Sequence, residues 1–304
     1  KTMEKVLEIS HLSKKFGHQY ALNDVNLTIR KGDVYGLIGK NGAGKTTLIK
    51  VITQLIQETD GSVSLFASTN RYQWTQALKR VGSVIESPVA HKHMTAYQNL
   101  VYYCKARHIP NPDQVIKETL NYVGLNNTGK KKFRDFSLGM KQRLGIAIAL
   151  IAKPDFLILD EPINGLDPVG IKEFRQMIKR LNDELGMTIL ISSHILSELY
   201  LVANRFGIVD QGRLIKEISK AEFEEQGEDY IILKTSQLAL ASQLIQDQLH
   251  HRIKVIDKDG EIHIFGQTHD IKVIVKALVQ ADIDVDEIYY ARQDLEKFFT
   301  DLVD

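Results

Sequence analysis

One nine-residue stretch, GKNGAGKTT, constrains the fold of this chain more than any other. It lies between a β-branched, apolar run that ends at Gly39 and a helix-compatible run that begins just after Lys45, so its glycines occupy a strand-to-helix turn. Glycines in such a turn let backbone N–H groups surround phosphate oxygens, and the helix N-terminus adds the positive end of its dipole. The spacing Gly39-x-x-x-x-Gly44-Lys45-Thr46 therefore predicts a phosphate-binding P-loop.

Two residues of this loop have specific expected roles. Lys45 is predicted to reach the β- and γ-phosphates of a nucleotide, and Thr46 is predicted to ligate Mg²⁺. The other nucleotide-binding residues expected in the loop are Gly39, Asn41, Gly42, Ala43, Gly44 and Thr47. The alternative is a glycine-rich turn that carries a lysine by chance, which predicts no ligand here.

Composition restricts the remaining classes of protein. The 304 residues include 39 Lys and Arg against 38 Asp and Glu, and a net charge of +1 does not favour a polyanionic partner. The longest apolar run, LGIAIALIA, is far shorter than the about 20 residues of a membrane span. The N-terminus shows no signal-peptide pattern, and Cys104 is the only cysteine, which excludes an internal disulfide. We therefore expect a cytoplasmic chain without a transmembrane segment.

The pattern of apolar residues predicts an α/β fold for the first two thirds of the chain. Two short strands, KVLEISHLS and ALNDVNLTI, precede the P-loop strand and indicate an N-terminal β subregion. A helical lobe is expected over about residues 90–150, and the buried strands in PDFLILDEP and MTILISSH then alternate with helices. Such alternation indicates a mainly parallel, covered sheet. We assign residues 1–217 to this P-loop domain.

The sequence changes character after Ile215, where acidic EFEEQGED leads into a β-α-β-β-α-β-α order. Its hairpin is marked by Asp259-Gly260 between two alternating arms, as in a type I′ turn, and its last helix is QDLEKFFTDLV. This order predicts a second, small α+β domain of the ferredoxin-like type over residues 218–304.

The segment FLILDEP supplies the acidic groups that a P-loop requires. Asp160 ends the buried strand and is predicted to hold Mg²⁺. Glu161 follows beyond the carboxyl end of the strand, where a carboxylate within hydrogen-bond reach of the attacking water acts as a general base. The alternative for this segment alone is an ordinary acidic turn before Pro162.

The order of five segments, GKNGAGKT, FSLGMKQR, LILDEP, NGLDP and ISSH, resembles the ATP-binding subunits of ABC transporters over about the first 215 residues. This resemblance implies ATP and Mg²⁺ as ligands and ATP hydrolysis as the activity. It also implies a dimer of two copies, or a pairing with a similar ATPase, because in the family each ATP lies between the P-loop of one copy and the signature segment of the other. Integral membrane permease subunits are the implied partners, at the cytoplasmic face of the membrane.

The family resemblance assigns a second set of nucleotide-binding residues to the segment FSLGM. Ser137 and Gly139 match the family's LSGGQ signature, which opens a helix that caps the γ-phosphate held by the other copy. Leu138 and Met140 depart from that pattern. The alternative for the segment alone is a helix with a serine N-cap.

Three further residues carry over from the family by position. Asp167 in NGLDP matches the aspartate that crosses the dimer interface, and His194 in ISSH matches the histidine that contacts the γ-phosphate. Phe16 matches the aromatic residue on which adenine stacks, because a flat ring is a suitable partner for a purine. The alternative is that Phe16 belongs to the core, with Tyr20 as a rival for stacking.

Glu86 is the informative departure, because the family usually has a glutamine at this position. A carboxylate is a stronger ligand for Mg²⁺ than an amide oxygen, so Glu86 is predicted to be a metal ligand and a catalytic residue together with Lys45, Glu161 and His194. Neutral drift of the loop is the alternative. Together with the SLGMKQRL form of the signature, Glu86 resembles the branch of bacitracin and lantibiotic immunity transporters.

The function expected from these features is an ATPase subunit that powers a separate permease, which exports an antimicrobial peptide, a drug or another amphiphile. A second reading is a soluble ABC ATPase that acts on nucleic acid or ribosomes. The near-zero net charge and the single P-loop disfavour it, so we expect no nucleic-acid partner. A third reading, a module that binds ATP without hydrolysing it, predicts the loss of Glu161 or His194, and both are present.

Overall fold

A computed structural model of the chain describes residues 4–68, 71–226, 230–256, 260–265 and 271–291. The chain divides into two compact units, of which the first extends to Lys220 and the second begins at Ala221. A short helix, α8 (Lys220–Gln226), begins at the last residue of the first unit.

The first unit contains nine strands and seven α-helices in its described part. Its strands are β1 (Lys5–Phe16), β2 (Gln19–Arg30), β3 (Val34–Ile38), β4 (Asp60–Leu65), β5 (Val81–Val84), β6 (Phe156–Asp160), β7 (Thr188–Ser193), β8 (Arg205–Asp210) and β9 (Arg213–Ser219). Its helices are α1 (Lys45–Ile52), α2 (Arg71–Leu78), α3 (Ala96–Ala106), α4 (Pro112–Tyr122), α5 (Leu138–Leu150), α6 (Pro168–Leu185) and α7 (Leu196–Tyr200).

The central sheet of this unit has the strand order β5-β6-β7-β3-β8-β9. The first five strands run parallel, and β9 pairs antiparallel with β8. Every residue of β3, β6 and β7 is buried, as expected for a parallel sheet covered on both faces. Because parallel strands end at the same edge, the residues that follow β3, β5, β6 and β7 meet there.

A second sheet fixes the position of α1. It is antiparallel with the order β2-β1-β4, and it matches the predicted N-terminal β subregion. Leu48, Ile49 and Ile52 on α1 share one core cluster with β1 and β2 residues such as Leu7 and Leu22. The helix that follows the P-loop is therefore held by apolar packing along most of its length.

The helical lobe comprises α3, α4 and α5, and each helix begins with a residue suited to that place. The Thr95 side chain accepts a hydrogen bond from the backbone of Gln98, whose own side chain bonds back to Thr95, so α3 starts with a capping box. Pro112 is the first residue of α4, where its missing N–H costs nothing. Ser137 caps α5 and accepts from the backbone of Met140.

The second unit contains a four-stranded sheet and two further helices in its described part. Its elements are β10 (Tyr230–Lys234), α9 (Leu238–Asp247), β11 (Arg252–Ile256), β12 (Glu261–Phe265), α10 (Ile271–Gln280) and β13 (Glu287–Ala291). The strand order is β11-β12-β10-β13 and all pairs are antiparallel, which is the ferredoxin-like arrangement. Its core joins sheet residues such as Ile231 and Ile264 to helix residues such as Ile245 and Leu278.

The predicted fold class, an α/β P-loop core followed by a small α+β unit, is confirmed. The predicted terminal helix QDLEKFFTDLV and the turn residue Asp259 lie outside the described residues. Within the described ranges, none of the helices combines the length and the apolar character needed to cross a bilayer.

Candidate functional site

The glycines of the P-loop occupy positions that other residues fill only with strain. Gly42 has φ +83° and Gly44 has φ +110°, in the left-handed region that disfavours side chains. A Cβ atom on Gly44 would lie 2.8 Å from the backbone oxygen of Ala21, and one on Gly39 would collide with the backbone oxygen of Val209. The loop therefore needs glycine for its path between the two sheets as well as for its open N–H groups.

Lys45 lies at the centre of the loop, and its side chain is only 5% exposed. Its Nζ donates to the backbone oxygen of Gly39 at 2.7 Å and to that of Lys40 at 3.2 Å, so the loop curls around the ammonium group. The same Nζ lies 3.1 Å from Glu161 Oε1. Lys45, Glu161 and the first turn of α1 therefore form one polar cluster.

A second cluster joins the start of α1 to the ends of β6 and β7. Thr46 Oγ1 donates to Asp160 Oδ2 at 2.8 Å, and Ser192 Oγ donates to Asp160 Oδ1 at 2.6 Å. Asp160 is 2% exposed, so its charge is held by these hydroxyl groups rather than by water.

The donor set of this cluster fits Mg²⁺. The described residues contain no group of three or more His, Cys, Asp or Glu side chains that could hold a metal ion. Mg²⁺ in nucleotide sites does not need such a group, because it is held by one or two protein oxygens, phosphate oxygens and water. The adjacent hydroxyl and carboxylate oxygens of Thr46 and Asp160 are of this kind.

Glu161 bridges two cationic or potentially cationic side chains. Its Oε1 contacts Lys45, and its Oε2 lies 2.9 Å from Nδ1 of His194, which follows β7. The backbone of Glu161 has φ +47°, and its N–H donates to Ser192 Oγ at 2.9 Å. A strained backbone held by a buried hydroxyl aims this carboxylate beyond the sheet edge, which is where the sequence predicts a general base.

Glu86 lies two residues beyond the end of β5, the strand next to β6. Its Oε1 is 2.6 Å from Nζ of Lys50, in the last turn of α1. Glu86 also has a positive φ, +63°. The predicted metal-binding and catalytic roles of Glu86 remain predictions, and the contact that the structure adds is the ion pair with Lys50.

Two of the three residues predicted for the signature segment and the dimer interface cap helices. Ser137 caps α5, and Asp167 caps α6 through a 2.8 Å hydrogen bond from the backbone N–H of Gly170. A Cβ added to Gly139 would meet only Leu166, at 3.6 Å, so its backbone is open to close approach. Among the described residues, none of the hydrogen bonds or ion pairs joins these helix ends to the P-loop of the same chain.

The aromatic candidates for adenine stacking are both exposed. Phe16 ends β1, Tyr20 lies at the start of β2, and neither belongs to the buried core. The alternative reading of Phe16 as a core residue is therefore wrong. Lys14 and Lys15 lie over the two rings, at 5.1 Å from the Phe16 centroid and 4.3 Å from the Tyr20 centroid.

Two contacting residues were not predicted from the sequence, Ser192 and Lys50. Ser192 pairs directly with Asp160 in the register of β6 and β7, and its hydroxyl touches both Asp160 and Glu161. The pair of hydroxyl residues that ends this buried strand, Ser192 and Ser193, was a usable signal for it. Lys50 gave no such signal, because lysines on helices are common.

Comparison with known proteins identifies similarity to ATP-binding proteins of transporters. A family model described as ABC transporter matches residues 22–164. The bacitracin transport ATP-binding protein BcrA of Enterococcus faecalis is 38% identical over 99% of this chain and 97% of its own length. The lantibiotic transport ATP-binding protein SrtF of Streptococcus pyogenes is 46% identical over 70% of this chain and 90% of its own.

A solved structure resembles the first part of the fold. It is a dimeric ATP-binding cassette in a post-hydrolysis state, bound to ADP and Pi. The match has a TM-score of 0.64 at 24% identity and covers 70% of this chain and 98% of that one. This likeness supports the fold of the P-loop unit.

Proposed function

The chain belongs to the ATP-binding subunits of ABC transporters, and we propose that it powers a separate membrane permease that exports a bacitracin-like antimicrobial peptide. As a member of this family it is an ATPase. The observation that carries the substrate class is the extent of similarity, since the match to the bacitracin transport protein covers 99% of the chain and the lantibiotic match covers 70%. One relative is named for the transport of bacitracin and the other for the transport of a lantibiotic.

The contacts of the first unit support specific roles in hydrolysis. The P-loop N–H groups and Lys45 bind the phosphates, with the positive end of the α1 dipole behind them. Glu161 accepts the proton of the attacking water, and His194 orients the Glu161 carboxylate from the end of β7. Thr46 and Asp160 would hold Mg²⁺, which would supply positive charge to the transferred phosphoryl group.

A dimer completes the site. Ser137, Gly139 and Asp167 lie at the starts of α5 and α6, and helix starts bind anions through free N–H groups. Since these helix ends form no hydrogen bond or ion pair with the P-loop of their own chain in the described part, we propose that they cap the ATP held by a second copy. Phe16 then supplies the ring on which the adenine stacks.

The domain assignment follows the same proposal. The first unit forms the nucleotide-binding domain; it extends to Lys220, three residues beyond the boundary of 1–217 expected from the sequence, because β9 runs to Ser219. The second unit forms an accessory domain that contributes to dimer contact or regulation. The permease contacts the helical lobe near Glu86 at the cytoplasmic face of the membrane, so the chain is a peripheral subunit there.

Purification from membranes tests this function. The tagged chain is isolated with mild detergent, reconstituted into liposomes with the membrane subunits that co-purify, and assayed for ATP hydrolysis with bacitracin and with a lantibiotic. We expect co-purifying membrane subunits and a turnover that rises with bacitracin more than with the lantibiotic.

Two outcomes would contradict parts of the proposal. Stimulation by the lantibiotic alone would transfer the substrate class to the other relative and leave the transport function intact. Co-purification of ribosomes or nucleic acid, with no membrane subunit and no response to either peptide, would exclude transport.

A further inference from the structure

Lys50 has no part in the phosphate site described above, yet it contacts the glutamate that departs from the family pattern. Lys50 follows Thr46 by four residues on α1, so both side chains lie on one face of the helix. Thr46 reaches Asp160 at the end of β6, and Lys50 reaches Glu86 just beyond the neighbouring β5. One face of α1 therefore contacts two adjacent strand ends.

The same helix face separates the two contacts. Side chains four residues apart on a helix have Cβ atoms about 5–6 Å apart, so Glu86 is paired with a residue one helical turn along α1 from the residue that contacts Asp160. Glu86 is kept there with φ +63°, a backbone conformation that glutamate adopts at a cost and that clusters at functional sites.

Charge gives the pair a further property. A glutamine at position 86 would be neutral, and the Glu86–Lys50 pair is neutral as a unit. The two side chains are 63% and 33% exposed, and ion pairs with this much access to water are weak. Lys50 therefore neutralises the Glu86 charge, but the weak pair lets the carboxylate change partners, which a buried pair would not.

We propose that Lys50 is a positioning residue for Glu86. It engages the Glu86 carboxylate in an ion pair on α1, and so limits its availability to the magnesium site formed by Thr46 and Asp160. The inference rests on the proposed function, because it assumes that Thr46 and Asp160 hold Mg²⁺ together with ATP.

The test is a double-mutant cycle with a binding readout. Lys50→Met, Glu86→Gln and the double variant are compared with the parent by calorimetric titration of a non-hydrolysable ATP analogue at a series of free Mg²⁺ concentrations. The measured quantity is the Mg²⁺ concentration that gives half of the full gain in analogue affinity. Lys153→Met is the matched control, because Lys153 forms another exposed pair, 3.5 Å from Glu118.

We expect Lys50→Met to lower this Mg²⁺ concentration by about threefold or more, because the released carboxylate becomes available as a further oxygen ligand. In the Glu86→Gln background the same substitution should change it less than about twofold, as should Lys153→Met in the parent. Lys50→Arg, which keeps the cation, should restore the parental value.

Two results would overturn the inference. Equal shifts from Lys50→Met with and without Glu86 would show that the lysine acts on the ion through its own charge. No shift in any variant would show that the pair has no positioning role. Urea unfolding followed by Trp74, the single tryptophan of the chain and a buried one, confirms that each variant is folded.

The parent protein separates this inference from the proposed function. If the parent binds the analogue without any dependence on Mg²⁺, the proposed ATP site is wrong and the role of Lys50 is wrong with it. If the parent shows Mg²⁺-dependent binding and the cycle shows no coupling, only the role of Lys50 is wrong.

Discussion

The two ends of α1 carry the same kind of ion pair in different surroundings. At the N-terminal end, Lys45 and Glu161 are 5% and 20% exposed, and at the C-terminal end Lys50 and Glu86 are 33% and 63% exposed. Coulomb interactions strengthen where water is excluded, and exposed pairs contribute only about 0.2–1 kcal/mol. The same two residue types therefore build a fixed part of the site at one end and an exchangeable contact at the other.

The helix dipole adds a second difference between the two ends of α1. At the N-terminal end Lys45 pairs with Glu161, but its charge adds to the positive end of the dipole, so we expect the anion site at this end. A lysine in the last turn is balanced by the negative end, and Lys50 is balanced by Glu86 as well. We therefore predict that phosphate affinity depends on the N-terminal end much more than on the C-terminal end.

The largest effect is expected from a substitution at the N-terminal end of α1. Lys45→Met should lower the turnover of ATP by about 10²–10³-fold, as for the loss of one donor to developing charge in a water-poor site. The same substitution at Lys50 should change turnover by no more than about fivefold, the equivalent of one exposed pair. Steady-state phosphate release from both variants makes this comparison, and equal losses would contradict the assignment of separate roles.

A smaller effect is expected at Ser192, which supports Asp160 and Glu161 through hydrogen bonds. Ser192→Ala removes the hydroxyl that donates to Asp160 and accepts from the backbone of Glu161, and it should raise the Mg²⁺ requirement of hydrolysis by about 10–100-fold. Ser193→Ala is the matched control, since Ser193 is equally buried but its hydroxyl bonds to Ile195. A similar shift in both variants would mean that the effect comes from general loosening of β7.

The smallest effect belongs to the C-terminal end. Glu86→Gln should change turnover by up to about fivefold while ATP affinity stays within about twofold, because Glu86 contacts α1 away from the phosphate loop. Paired measurements of kcat and of ATP dissociation constants check this. A large loss of ATP affinity would place Glu86 in the phosphate site itself.

The sequence predicted the N-terminal end of α1 well because its signals are local. The glycine spacing, the strand before Gly39 and the helix after Lys45 lie within a few residues of one another. Asp160 and Glu161 were recognisable because a fully apolar strand ends in two carboxylates. The alternating arms and helical patterns of the second unit likewise predicted its element order from β10 to β13, for the same local reason.

The C-terminal end of α1 could not be predicted in the same way. Lys50 and Glu86 are 36 residues apart, and they meet only because β5, which leads to Glu86, pairs with β6, the strand that α1 packs against. Ser192 meets Asp160 through strand register, which the sequence does not specify without knowing that β6 and β7 are neighbours. Such contacts are set by topology and packing rather than by local pattern.

The most direct test of the account is Mg²⁺-ATP-dependent dimerisation of Glu161→Gln beside the parent, measured by light scattering with phosphate release followed in parallel. The substitution keeps the shape of the side chain but removes the base, which should slow hydrolysis by about 10²–10⁴-fold. The account predicts that the variant forms a stable dimer with Mg²⁺-ATP, stays monomeric with EDTA, and releases almost no phosphate. A variant that stays monomeric with Mg²⁺-ATP, or hydrolyses ATP at the parental rate, would contradict the role of Glu161 in a two-copy ATP site.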